Sequence, residues 1–321
     1  LEIRGGNVYN NSSYAGGAIF VDSLSTCSVN GVYFNNNGAN RGGAIATFRG
    51  GRLTVHDSDF YQNSANGWEE NVDPNFPTYA GGGAIYQEFA DTLEISNTNF
   101  SNNSATAGPG GAMALYHGTE VLLDSIVIRN NSSTGGGGGL CLLRPENVIF
   151  NHGVIMDNRS DWNSGGGVFF GTEASQDTVD MPGTFNRLLF VNNWALYGGG
   201  GFFIWNATLD LYNSTFTMNE ANDDNGSSGW QGGGLSIHSQ STANILNTIF
   251  YDNFPNSIHD GTPNSSFDIN YSLTEEFWYG DSNSHSIDPL FVDVDSYDFR
   301  LQTGSPCIDA GTSDLDGDGV Q

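Results

Sequence analysis

A short series of carboxylates, a few arginines and a file of tryptophans are the residues whose types suit chemistry. Asp223-Asp224, with Asp161 or Glu70 opposite, would supply the carboxylate pair of glycoside hydrolysis. In that reaction one carboxyl protonates the leaving oxygen while the other activates water. Arg159, two residues before Asp161, is the best placed side chain to take the proton α to a uronate carboxyl in an elimination. Asp314, Asp316 and Asp318, in Asp314-Leu315-Asp316-Gly317-Asp318-Gly319, match the opening of an Asp-rich calcium loop, although Gln321 precedes the final carboxylate of such a loop. Glu69, Glu70 and Asp73 form a more diffuse calcium candidate. The six histidines include no i,i+4 pair and the three cysteines no Cys-x-x-Cys, so no zinc signature is present. The glycine clusters lack the lysine and the following helix of a phosphate-binding loop.

Composition narrows the partners. Among 321 residues, 36 are acidic and 9 basic, all of these arginine, for a net charge of -27. Such a chain repels phosphate backbones and anionic membrane surfaces, which argues against nucleic acid. No apolar stretch is long enough to span a membrane, so this segment is not expected to insert directly. With 37% hydrophobic residues the chain can still bury a core. Cys27, Cys141 and Cys307 read as small buried hydrophobes rather than a disulfide scaffold.

The elements that must position these residues are set by an internal repeat. Gly16-Gly17-Ala18-Ile19, Gly42-Gly43-Ala44-Ile45, Gly82-Gly83-Ala84-Ile85 and Gly110-Gly111-Ala112-Met113 recur, with four looser copies beyond them. Each is followed by a large hydrophobe with asparagine three positions later, as in Phe34/Asn37, Phe60/Asn63, Phe100/Asn103, Ile128/Asn131 and Ile155/Asn158. From the hydrophobe after glycine to the one before asparagine is 15 residues in six of eight units. Short alternating runs such as Leu53-Thr54-Val55-His56 predict strands, and no helical stripe is present. One such unit cannot bury its own apolar face, but stacked units can. The expected fold is all-β: a parallel β-helix of about ten rungs, each adding about 4.8 Å along the axis. The phenylalanines would form an inward ladder and the asparagines a ladder at the next corner, where asparagine suits a left-handed backbone.

Gly-Gly-Ala-Ile followed by Phe-x-x-Asn resembles the right-handed parallel β-helix repeats of the polymorphic outer-membrane (Pmp-like) family and related bacterial secreted proteins. The runs Ile287-Asp288-Pro289-Leu290-Phe291 and Gly304-Ser305-Pro306-Cys307-Ile308-Asp309-Ala310-Gly311 resemble the closing segment of many such proteins. The resemblance implies right-handedness, in line with the general hand of parallel crossovers. It also implies secretion or display on a bacterial cell surface. It implies no activity, because the architecture carries adhesins as well as pectate lyase-like and other polysaccharide-degrading enzymes. A single domain is expected over 1–312, with repeats over 1–255, closing rungs over 256–312 and an Asp-rich tail over 313–321. Leu1 to Gly6 read as the middle of a repeat, so further domains of a longer parent protein are expected.

Function on a solenoid concentrates where insertions bulge from a corner. Residues 66–79 and 222–230 are inserted at the same point of their rungs, after the ladder asparagine and before the glycines. That corner gathers Trp68, Tyr79, Trp162, Trp194, Tyr197 and Trp230 beside Glu69, Glu70, Asp73, Asp161, Asp223 and Asp224. Aromatic platforms beside carboxylates suit sugar rings; the alternative is that the rings cover gaps at the corner. With no accompanying Asp and Arg set on neighbouring rungs, the favoured reading is a non-catalytic, adhesin- or stalk-like surface module that binds polysaccharide or cell-surface glycan. It requires no cofactor, with Ca²⁺ as the candidate ion. The competing reading is a calcium-assisted polysaccharide lyase or glycoside hydrolase acting on the same edge through Arg159, Asp161, Asp223 and Asp224.

Overall fold

The computed structural model describes residues 1–67, 80–172, 181–222, 232–261, 264–276 and 284–313. Over these residues the repeats close into a right-handed parallel β-helix of about ten rungs. Three parallel sheets run along the rod, with eighteen, seven and nine strands among the described residues. Each rung visits them in that order before starting the next. The eighteen-stranded sheet is bent lengthwise, because most rungs contribute two short strands to it, such as Arg52–His56 and Asp59–Tyr61. Glu120–Arg129, Asn147–Met156 and Pro182–Val191 cross the bend as single strands. The bend itself is a column of left-handed residues, including Asp57 (φ 49°), His152 (φ 50°) and Arg187 (φ 57°).

The inward ladder is aligned as the spacing requires. Phe34 pairs with Phe60, Phe60 with Phe100 and Phe100 with Ile128, all fully buried. Ring centroids of Phe34 and Phe60 lie 4.7 Å apart at 8°, and those of Phe190 and Phe216 lie 4.3 Å apart at 8°. Stacked rings at rung spacing leave little room for slippage, since a one-residue shift would turn every ring outward.

The asparagine ladder follows at the corner, with one correction to expectation. The left-handed residue is the one before the ladder asparagine: Asn36 (φ 53°), Gln62 (φ 54°) and Asn102 (φ 57°) precede Asn37, Asn63 and Asn103. That turn swings the following amide into the rod, where the ladder asparagines are buried. Asn131 shows the pattern. Its Nδ2 donates to Phe100 O at 3.1 Å and to Asn158 Oδ1 at 3.0 Å. Its Oδ1 accepts from both the backbone N–H and the Nδ2 of Asn103, each within 3.0 Å.

The glycine pairs answer two different needs. Gly42 has φ 60°, a conformation that costs glycine nothing. Gly43 lies so near the next rung that a Cβ would sit 2.1 Å from Gly83 O. Beyond the repeats, Phe291–Asp293 and Asp298–Leu301 form an antiparallel pair around a 3₁₀ turn. The closing segment returns to the bent sheet, where Asn247 Nδ2 donates to Thr312 O and Asn247 Oδ1 accepts from Thr312 N–H, both at 2.8 Å. Cys27 and Cys141 are buried, and Cys307 is half-buried. Burial pushes the Cys27 thiol up, which suits a packing role.

One inward position breaks the apolar pattern. Gln87 is fully buried beside its register partner Thr47, and neither its amide nor Thr47 Oγ1 has a hydrogen-bond partner. An unpaired buried amide is destabilising, so Gln87→Met is expected to raise stability by about 1 kcal/mol. Asn131→Ala is expected to cost about 4 kcal/mol, because it strands Phe100 O and two donors of Asn103 inside the rod. Urea unfolding midpoints of the two variants check both signs.

Candidate functional site

Two neighbouring surfaces carry the chemistry: the corner edge singled out by its tryptophans, and the outer face of the nine-stranded sheet that the chain enters next.

At the corner, the short strand Arg159–Ser160 lies between Ser132–Ser133 and Trp194–Ala195. The register puts Arg159 directly beside Trp194, and its guanidinium carbon sits 3.6 Å from the ring centroid. Arg159 Nε also donates to Asp161 Oδ1 at 2.5 Å. A guanidinium shared between a carboxylate and a ring face is a held cation. This arrangement holds the Arg159 guanidinium against the Trp194 ring. Trp162 is 64% exposed and Tyr197 37%, so the structure brings an open indole to the same edge. Trp68, Tyr79, Trp230, Asp223, Asp224, Glu69, Glu70, Asp73, Asp314, Asp316 and Asp318 lie outside the described residues. Among the described residues no group of three or more His, Cys, Asp or Glu could hold a metal ion.

The outer face of the nine-stranded sheet is a feature that sequence reasoning missed. Its strands alternate so that Ile85 and Gln87 point inward while Tyr86 and Glu88 point outward. In register these outward positions build an aromatic spine. Phe20, Phe48, Tyr86 and Tyr116 follow one another with centroids 5.4 to 5.5 Å apart. A second run joins Phe169 to Phe203 at 5.2 Å and Phe203 to His238 at 5.0 Å. The buried Glu88 accepts from Tyr86 Oη at 3.0 Å, with Arg41 Nη1 3.9 Å from its carboxylate. The signal available in the sequence was the large aromatic that follows the glycine-cluster hydrophobe in four of the eight units: Ile19-Phe20, Ile85-Tyr86, Val168-Phe169 and Phe202-Phe203.

Between the two runs the spine is interrupted, because register places Cys141 and Leu143 where rings stand elsewhere. A cavity of about 360 Å³ opens there. Cys141, Leu143, Phe169, Phe203 and Trp205 line its apolar side, and Gly135, Gly136, Asn163 and Thr172 line its polar side. Asn163 follows the exposed Trp162, so the corner edge leads into this cavity. Asn163 Oδ1 accepts from Ser164 N–H at 2.8 Å, which leaves Nδ2 as a donor.

His238 closes the far end of the spine, with the His259 ring 5.7 Å away. It is fully buried, and burial, reinforced by the charge of His259, pulls its pKa from 6.5 down to about 4. In the unfolded chain it titrates at its ordinary value. As pH falls from about 6.5 to about 4, the unfolded state gains a proton that the folded state does not, and stability drops. The loss is complete below about pH 4 and amounts to at most about 3 kcal/mol. Thermal unfolding at pH 7.5 and pH 4.5 is expected to show a smaller difference for His238→Gln than for the parent chain.

No protein-family model matches the chain, and no curated protein matches it. The fold alone defines its class: a parallel β-helix module, an architecture found in adhesins and in carbohydrate-active enzymes alike.

Proposed function

We propose that this chain is a non-catalytic, secreted or cell-surface β-helix module that binds glycan along the corner edge bearing Trp162, Trp194 and Tyr197. The observation that carries this reading is the exposed indole of Trp162 beside an aromatic-floored cavity. Aromatic faces cover the apolar face of a pyranose, and few precisely placed polar groups then set its orientation. Against catalysis stands Arg159, whose guanidinium is occupied by Asp161 and Trp194. Display on a bacterial surface, and kinship with the Pmp-like repeat proteins, rest on the Gly-Gly-Ala-Ile, Phe-x-x-Asn and Gly-Ser-Pro-Cys motifs. Calcium enters the proposal through the acidic stretches 69–73, 223–224 and 314–318.

A polysaccharide panel with and without calcium tests the reading, with reducing ends, absorbance at 235 nm and bound glycan read together. Retention of at least one glycan without either product is the expected result. A rise at 235 nm would identify a lyase, and reducing ends alone a hydrolase; either overturns the non-catalytic reading. Trp162→Ala is expected to weaken retention about tenfold while leaving the unfolding free energy within about 0.5 kcal/mol of the parent, as for an exposed side chain.

A further inference from the structure

The cavity in the spine limits what kind of sugar this edge can take. Among the described residues, none of those lining it is charged, in a chain with 36 acidic and 9 basic residues. Its apolar side presents the Phe169 and Phe203 rings, 5.2 Å apart at 27°, together with the Trp205 indole. Its polar side is made of uncharged groups: the Asn163 amide, the Thr172 hydroxyl and the backbone of Gly135 and Gly136. One residue beyond Asn163, the hydroxyl of Ser164 is fully buried and has no hydrogen-bond partner. The backbone oxygen of Ser164 lies 3.3 Å from where a Cβ of Gly136 would stand, so this residue abuts the cavity wall. Ser164 thus packs behind the Gly136 wall and is not one of the residues that line the cavity.

Resting on the glycan-binding reading, we propose that this cavity is a subsite for one uncharged sugar ring, a neutral hexopyranose or pentopyranose, with Trp162 as the platform for the adjoining residue. A uronate or an amino sugar would bring a charge to a site whose described lining offers it no counter-ion, and would lose its hydration there without compensation. A neutral ring stacks on Phe169 or Trp205 and satisfies Asn163 with its hydroxyls. The volume of about 360 Å³ accommodates one ring, not a chain.

The test is titration calorimetry of the full chain with cellotriose, xylotriose and mannotriose as neutral probes, against trigalacturonate and the chitosan trimer as charged ones. At least one neutral trisaccharide is expected to bind at least tenfold more tightly than either charged trimer. Phe169→Ala is expected to weaken that binding about tenfold or more, and Cys141→Phe, which places a ring in the gap of the spine, to abolish it. A complex structure with the tightest neutral probe guards against variants that fail to fold: a ring seated on Phe169 and Trp205 supports the subsite. Preferential binding of a charged trimer overturns the inference while leaving glycan binding intact. So does a neutral sugar found elsewhere on the rod. Failure of every glycan, including the full polysaccharide panel, removes the parent reading and the subsite with it.

Discussion

Register between rungs is the constraint on which everything else in this protein depends, and the buried asparagine amides enforce it. Eight amide bonds join the exposed Asn11 to the buried series Asn37 to Asn253, each handing Nδ2 to the Oδ1 of the next rung at 2.9 to 3.0 Å. Each amide also ties down backbone, so a rung that slips strands several buried groups at once. The ladder survives large interruptions: Asn63 and Asn103 are 40 residues apart in sequence and still bonded. Insertions therefore leave the rod untouched and are free to carry surface chemistry. A smaller device works at the lengthwise bend, where the hydroxyls of Ser58, Ser214 and Ser272 accept from the backbone of the preceding rung.

Because register is so tightly held, any outward residue repeats its neighbour's position one rung on. Rings placed outward become a spine, and a small residue in that series becomes a cavity. The edge and cavity are thus consequences of the same stacking that makes the core. Arg159 illustrates the point: its pairing with Trp194 is a register contact before it is an electrostatic one.

Much of the fold was legible in the sequence because its signal is spacing, which local chemistry does not blur. Phe34/Asn37 and its repeats announced both ladders and the rung length. The left-handed position was harder, since Gln62, Met218 and Asp252 share that conformation without sharing a side-chain type. The outer spine was not legible for a different reason. Alternation reveals a strand's inner face only when the other face is polar. In Ile85-Tyr86-Gln87-Glu88 all four side chains are buried, and the amide points inward while the phenol ring points out. Of the candidate edge, Trp162 was readable as an inserted aromatic, whereas the cavity beside it depends on Cys141 and Leu143 falling opposite rings two rungs apart.

The amide ladder also has a direction. Every Nδ2-to-Oδ1 bond in it runs toward the later rung, from Asn11 toward Asn253, so these amide–amide bonds are all aligned the same way. Hydrogen-bonded amides in line polarise one another, and each bond is strengthened by those behind it. The ladder is therefore polar along the rod, and it ends at Asn253, whose Nδ2 donates to the backbone oxygens of Phe216 and Tyr251. A rung is therefore bound more firmly in the middle of the series than at either end of it.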